Sequence, residues 1–244
     1  MGKIVASGGG MFETPDRVVL HRIKTLAGVR RPRILCMPTP GGDKQESWLL
    51  YQQHFQAIGC RPEVLWLLRE KPTHAQVDRR IAAADIVFVG GGNTLMMMRR
   101  WKFLGVDKAL RKAYRRGAVL CGGSAGAICW CDFGHSDSMR GYGHDPWSYI
   151  RVSGLGLIRG TFCPHYHHEN RQADFHAMIR RLGGFGVACD DDAAIEVVDG
   201  QYRILAETPA AKAYTVVRHR GRIIETEIEK RHAYQPLTRL YART

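Results

Sequence analysis

The sequence predicts an α/β fold, a mostly parallel sheet flanked by helices, with antiparallel strands in its C-terminal third. Three observations predict it. Short apolar, β-branched runs alternate with longer helical patterns over most of the chain, the rhythm of parallel strands joined by crossover helices. Two of those runs, Asp85–Val89 and Ala118–Cys121, lead directly into glycine clusters that open helices. The C-terminal part instead carries closely spaced runs divided by turn residues.

The first strand spans Lys3–Ser7 and a helix follows near Asp16–Leu26. The second strand, Arg33–Met37, is closed by Pro38-Thr39-Pro40. Next come a helix near Glu46–Ile58, a strand over Glu63–Leu67, and a helix over Thr73–Ala84 that opens with a threonine cap. Asp85–Val89 is apolar enough for a strand buried on both faces. Gly90-Gly91-Gly92 opens another helix, and the helix Val106–Arg116 is stopped by Gly117 before the fifth strand, Ala118–Cys121.

From Asp132 to Gly156 the pattern is lost in a stretch rich in Gly, Ser, Asp and aromatics. Connections in compact domains are usually shorter, so this segment is a candidate lid. Order returns with a strand over Leu157–Cys163 and a helix near Asn170–Leu182. The runs Val187–Asp190, Ala193–Val198, Tyr202–Ala206, Ala213–Arg218 and Arg222–Ile228 follow, with hairpin turns at Val198-Asp199-Gly200-Gln201 and Arg220-Gly221. These strands are expected at an edge of the same sheet. Residues from Arg231 onward carry no signal.

A chain of 244 residues, 45% hydrophobic, fits one large domain over residues 1–244, with no repeat or linker to divide it. No apolar stretch approaches a membrane span, and neither a signal peptide nor a membrane partner is expected. The seven cysteines are odd in number and several lie inside apolar runs, which reads as reduced thiols in a cytoplasm. With 36 Lys plus Arg against 23 Asp plus Glu, the net charge of +13 favours acidic partners. The basic residues are scattered as helix-borne pairs such as Arg79-Arg80 and Arg115-Arg116, so solvated helix faces are expected and no nucleic-acid partner. A homodimer stays open.

Residues 122–126 read Gly-Gly-Ser-Ala-Gly, a G-x-S-x-G match between an expected strand and an expected helix. Ser124 would project from the strand end at a helix N-terminus, where free N–H groups favour the negative charge that develops on an attacked carbonyl. The Ala125 amide is the natural first oxyanion donor. A tight turn or a phosphate-binding loop is the rival reading, weakened because neither a Lys-Ser/Thr ending nor G-x-G-x-x-G is present. The Gly90–Thr94 cluster also ends a strand and should emerge on the same sheet edge, where its amides could supply the second donor.

A serine nucleophile needs a base, and histidines gather in Cys163-Pro164-His165-Tyr166-His167-His168, directly after a strand. Metal binding by Cys163 with these histidines, joined by Cys129 or Cys131, is the alternative, but none of the common zinc spacings is met, so no metal or organic cofactor is expected. Two aspartates could complete a triad: Asp191, within Asp190-Asp191-Asp192, and Asp137 in the long loop.

Gly-Gly-Gly-Asn-Thr (90–94), Gly-Gly-Ser-Ala-Gly-Ala (122–127) and Cys-Pro-His-Tyr (163–166), in this order and spacing, resemble the peptidase E family, aspartyl dipeptidases related to cyanophycinase. The resemblance runs from about Lys3 to Val198. It implies a flavodoxin-like or class I amidotransferase-like three-layer sandwich and a serine peptidase acting on small acidic peptides, with a cyanophycinase-like, carboxypeptidase or isoaspartyl-peptide hydrolase activity as the alternative and a non-catalytic protein that binds an anionic ligand as the rival from another class. It implies Ser124 as nucleophile, His165 as base, and Gly92 and Ala125 as oxyanion amides. Asp191 matches the position of the family's acid, and Asp137 is nearest to an acidic residue after the nucleophile helix. Asn93 and Thr94 are implied at the substrate. Arg171, in a stretch similar to the family's carboxylate-binding segment, is implied as the specificity residue, since a guanidinium suits a carboxylate bidentately.

Overall fold

The computed structural model describes residues 2–143, 146–168 and 170–241, and it has a layered α/β architecture with a mostly parallel sheet flanked by helices. In chain order the first elements are β1 (Lys3–Ser7), α1 (Val18–Leu26), β2 (Arg33–Met37), α2 (Gln45–Ala57), β3 (Arg61–Val64), α3 (His74–Ala82), β4 (Ile86–Val89), α4 (Thr94–Leu104), α5 (Val106–Arg116) and β5 (Val119–Gly123). The strands lie parallel in the order β1-β5-β4-β2-β3. Alternate residues of each strand point to opposite faces. On one face Val5, Ile34, Cys36, Phe88 and Cys121 pack under α1 and α2, and on the other Ile4, Leu35, Val87, Val89 and Leu120 pack under α3, α4 and α5. Both faces are covered, which is why these strands read as unbroken apolar runs. The expected threonine cap is a full capping box, in which Thr73 and Gln76 exchange backbone and side-chain bonds at 3.2 and 2.7 Å.

β3 begins and ends before the expected Glu63–Leu67. Its register with β2 pairs Arg33 with Arg61 and Cys36 with Val64. Beyond that point Asp43 Oδ2 captures the amides of Leu67, Leu68 and Arg69 at 2.7, 2.6 and 3.2 Å, so the chain leaves the ladder while Leu65 and Leu67 stay buried.

The chain continues through α6 (Ala125–Ile128), β6 (Cys131–Ser136), β7 (Ile150–Ser153), β8 (Ile158–Cys163), α7 (Arg171–Leu182), β9 (Phe185–Cys189), β10 (Ala193–Val198), β11 (Gln201–Ala206), β12 (Ala213–His219), β13 (Arg222–Glu227), β14 (Gln235–Pro236) and α8 (Leu237–Tyr241). The expected irregular lid is therefore corrected: its arms are β6 and β7, paired antiparallel from Phe133–Ser153 to Ser136–Ile150. Gly134, His135 and Ser136 are buried although small or polar, which hid the strand in the sequence. His144 and Asp145 of that segment lie outside the described residues.

A second correction concerns the C-terminal strands. β10, β11 and β14 do extend the first sheet, antiparallel, beside β1. β9, β12 and β13 instead join β6, β7 and β8 in a second, six-stranded sheet in the order β13-β12-β9-β8-β6-β7. Phe185, Val187 and Ala213 of that sheet belong to the same apolar cluster as Ile4 and Val87 of the first, while Phe175 and Ile179 of α7 pack with Val216 in a separate cluster. All seven cysteines are buried free thiols, and among the described residues no helix is long and apolar enough to cross a membrane.

Glu196 on β10 has no exposed side-chain surface and pairs directly across the ladder with Arg203. Arg22 Nε and Nη2 reach its Oε1 at 2.9 and 2.8 Å, Arg203 Nε reaches Oε2 at 2.8 Å, and the Tyr234 hydroxyl donates to it. Burial alone drives this carboxyl up, but the bonds from Arg22, Tyr234 and Arg203 together hold it below the ordinary glutamate value. A lowered folded-state value gives stability that is fully present above the unfolded value, about pH 4.3, and lost as pH falls through the folded one. Glu196→Ala is expected to cost about 3 kcal/mol in urea unfolding at neutral pH, by stranding two partly buried guanidinium groups. The variant's Tm should also fall less steeply than the parent's below about pH 4.3.

Candidate active site

β5 turns into α6 through Ser124, whose φ of 55° and ψ of −117° are strained for a residue with a side chain. Three bonds hold it there: Ser124 N donates to Ser7 O at 3.2 Å, and Ser124 O accepts from Ala127 N and Ile128 N at 2.9 and 3.0 Å. The flanking glycines are required by crowding rather than by their own dihedrals. A Cβ on Gly122 would lie 2.3 Å from Val89 O, and one on Gly126 would lie 2.0 Å from the same carbonyl. The turn thus leans on the end of β4, and a side chain on either glycine would push it away.

The second glycine loop lies against the serine. A Cβ on Gly91 would sit 3.9 Å from Ser124 Oγ, and Gly92, at φ 132°, leaves only 2.2 Å between a Cβ and Pro40 O. Among the described residues neither the Gly92 nor the Ala125 amide is taken by a protein acceptor. The two residues expected at the substrate, Asn93 and Thr94, lie at the start of α4. Asn93 caps α4 by accepting from Met96 N at 2.9 Å and donates Nδ2 to Ser138 O at 3.0 Å, so both ends of its amide are in use. Thr94 is 1% exposed, and its Oγ1 has no hydrogen-bond partner among the described residues.

The histidine loop arrives from the second sheet, not from the edge that carries Ser124. β8 and β9 run parallel with Cys163 beside Ala188, so the loops that follow them meet. There His165 Nδ1 lies 2.6 Å from Asp191 Oδ1. An ionised carboxylate only accepts, so Nδ1 carries the proton and Nε2 keeps its lone pair free to act as a base. The His165 bond is the main cause holding the Asp191 carboxyl below its ordinary value. His168 Nε2 approaches the other oxygen of Asp191 at 3.0 Å.

Gly9, in the loop after β1, joins the two halves. A Cβ there would fall 2.0 Å from Asp191 Oδ1 and 2.6 Å from His165 Cε1. The neighbouring Ser7 carbonyl holds Ser124 N, and Gly9 Cα lies 3.9 Å from where a Cβ on Gly123 would stand. Ser124 and His165 therefore flank one short loop. Among the described residues no hydrogen bond joins their side chains, an arrangement common before substrate tightens a catalytic site. In the sequence Gly9 stands within Gly8-Gly9-Gly10, directly after β1, where three glycines mark no more than the end of a strand.

Of the two acids considered, Asp191 faces His165, whereas Asp137 is turned to Arg171 Nη2 at 2.8 Å. Asp137 is thus corrected from triad candidate to ion-pair partner. Arg171, expected as the specificity residue, begins α7 with its side chain 5% exposed, its Nη1 on Pro164 O at 3.3 Å, its Nη2 on Asp137, and its buried Nε without a partner among the described residues. The remaining His/Cys cluster disperses: His167 Nδ1 goes to Asp190 at 2.6 Å, and Cys163 Sγ lies 3.8 Å from His135 Nδ1. Among the described residues no three His, Cys, Asp or Glu side chains converge as metal ligands.

A cleft of about 370 Å³ opens over His165 and Asp191, lined also by Glu13, Asp137, Arg140, Trp147, Tyr149, His168 and Arg171. Arg140 lies on the Trp147 ring, 5.8 Å from its centre, and is an exposed cation of this cleft. Glu13, Arg140, Trp147 and Tyr149 had no distinguishing sequence signal, since only the fold brings them beside the histidine loop.

The sequence model of peptidase family S51 matches residues 4–205. The chain is 35% identical over 230 residues to the uncharacterized peptidase YgaJ of Bacillus subtilis (strain 168), covering 92% of this chain and 96% of that protein. It is similar in structure to a peptidase from an acI-B1 Actinobacterium, with a TM-score of 0.72 and 15% identity over 97% of each chain. A protein described as a peptidase E from Listeria monocytogenes EGD-e gives a TM-score of 0.63 and 14% identity over 84% of this chain and 98% of its own.

Two glycine substitutions should separate site from scaffold. Gly9→Ala places its methyl against a movable carboxylate and imidazole, so fluorophosphonate labelling of Ser124 should slow markedly with little change in Tm. Gly126→Ala meets a fixed backbone carbonyl, and a Tm loss corresponding to about 1–3 kcal/mol is expected.

Proposed function

The chain belongs to peptidase family S51, and from that premise we propose that it hydrolyses short peptides through an acyl-enzyme formed on Ser124. The observation that carries the reading is the 2.6 Å bond from His165 Nδ1 to Asp191, which leaves the other ring nitrogen free on a loop that packs on Gly9, the residue that also approaches the turn of the strained serine. In this mechanism Ser124 Oγ attacks the peptide carbonyl as His165 Nε2 takes its proton, while Asp191 holds the imidazole in the required tautomer and stabilises the imidazolium. The free Gly92 and Ala125 amides receive the oxyanion, each contribution being on the order of 3 kcal/mol in comparable sites. His165 then protonates the leaving amine, and water, activated by the same imidazole, hydrolyses the ester. The chemistry calls on side chains and backbone amides alone.

The substrate we infer carries an acidic residue at the cleavage site. The overall charge of +13 supports that preference, as does Arg140, whose head group is exposed in the cleft while Arg171 is already paired. The buried free thiols suit a reducing cytoplasm.

Ser124→Ala is expected to lower kcat/KM on Asp-X dipeptides by about 10⁴-fold or more with Tm unchanged, and full retained activity would remove the serine from the mechanism. Arg140→Ala should raise KM about tenfold for acidic peptides and leave neutral ones unaffected, the loss of one exposed charge-assisted contact. Assays across Asp-X, X-Asp and N-blocked peptides read both.

A further inference from the structure

Arg171 is almost wholly buried, yet it touches three separate segments around the cleft. Its Nη2 holds Asp137 Oδ2 at 2.8 Å, its Nη1 holds Pro164 O at 3.3 Å, and its Cζ stacks 4.8 Å from the centre of the Tyr149 ring. Asp137 follows β6 and Tyr149 precedes β7, so both belong to the hairpin that walls the cleft. Pro164 is the residue immediately before His165.

The stack continues inward. Tyr149 also lies face to face with His135, ring centres 4.3 Å apart, and His135 Nε2 reaches Asp174 Oδ1 at 2.8 Å. Arg171 and Asp174 are three positions apart in α7, hence on one helix face. One helical turn therefore grips the hairpin twice, at Asp137 and at His135, with Tyr149 between the guanidinium and the imidazole. Arg171 adds the link from that clamp to the carbonyl beside His165.

We propose that Arg171 is a positioning residue for His165: it fixes the histidine loop against the cleft wall, and it does not bind the substrate's carboxylate. The inference rests on the reading of Ser124 and His165 given above. With 5% of its side chain exposed, Nη2 on Asp137 and Nη1 on Pro164 O, Arg171 offers an incoming carboxylate almost no surface, and among the described residues only its buried Nε lacks a partner. Arg171 is instead a buried cation neutralised by a carboxylate that is 35% exposed, the arrangement of a tether between two loops. His165 itself has a left-handed backbone, φ 49°, so its loop needs an external hold to keep the imidazole aimed.

The two roles give opposite kinetics. A positioning residue acts on the base for every substrate, so Arg171→Ala should lower kcat by about 10- to 100-fold, the scale of a misplaced catalytic group, on acidic and neutral dipeptides alike and with KM little changed. Asp137→Asn should produce a smaller loss of the same kind. The double variant should be no worse than Arg171→Ala, because both changes break one unit. Arg171→Lys, which keeps a charge for Asp137 but cannot reproduce the planar link to Pro164 O, serves if the alanine variant does not fold, and it should lower kcat without a substrate-selective KM change. A KM increase confined to acidic peptides at unchanged kcat, or no kinetic effect at all, overturns the proposal. Ser124→Ala assayed in parallel keeps the two readings apart: if it stays active the serine mechanism has failed, whereas if it is inactive while Arg171 acts selectively on KM only this inference has.

Discussion

A serine with φ of 55° leaves that conformation unless its neighbours hold it, and here part of the hold comes from the end of β1 and the loop that follows it. The Ser7 carbonyl receives the Ser124 amide, and two residues later the bare Cα of Gly9 supports the His165–Asp191 pair. That short segment touches both the Ser124 turn of the first sheet and the His165–Asp191 pair carried by the second. A side chain at Gly9 has nowhere to go except into the carboxylate. The proposed chemistry depends on this contact more than on any single bond within the site.

Electrostatically the cleft is nearly self-compensated. Asp191 is shared by His165 and His168, Asp190 is held by His167, and Asp137 neutralises Arg171. Of these groups only Arg171 is deeply buried, and leaving it without Asp137 would cost several kcal/mol. The pairing also means that the protein's large positive charge does not enter the site through its buried arginine. Arg140, by contrast, is an exposed cation of this cleft. Burial first of all pushes His135 down to about 4, so the imidazole under Tyr149 stays neutral through the working range and serves as packing with a polar edge.

The same arrangement explains why the fold carries two sheets. The first sheet buries both faces and supplies rigid strand ends for the two glycine loops. The second packs on it through Phe185, Val187 and Ala213 and delivers histidine and aspartate from adjacent parallel strands. A base and its acid placed on neighbouring parallel strands need only short loops to meet, which is what β8 and β9 provide.

Local chemistry determined much of this from sequence alone. The parallel strands β1, β2, β4 and β5 were legible because burial on both faces forces continuous apolar runs, and the Gly-Gly-Ser-Ala-Gly turn was legible because close backbone approach admits only glycine at 122 and 126. His165 stood out as a histidine directly after a strand. Tertiary structure alone decided the rest: that Asp191 and not Asp137 faces His165, that Arg171 is closed onto Asp137, that Asn93 caps α4 and holds the Ser138 carbonyl, and that β8 and β9 leave the first sheet for a second. Those outcomes depend on which side chains meet across gaps of 26 to 45 positions in the chain, as in His165–Asp191 and Asn93–Ser138. No spacing in the sequence encodes that, because partner choice among several aspartates follows from where the strands are stacked, and stacking is a property of the folded core.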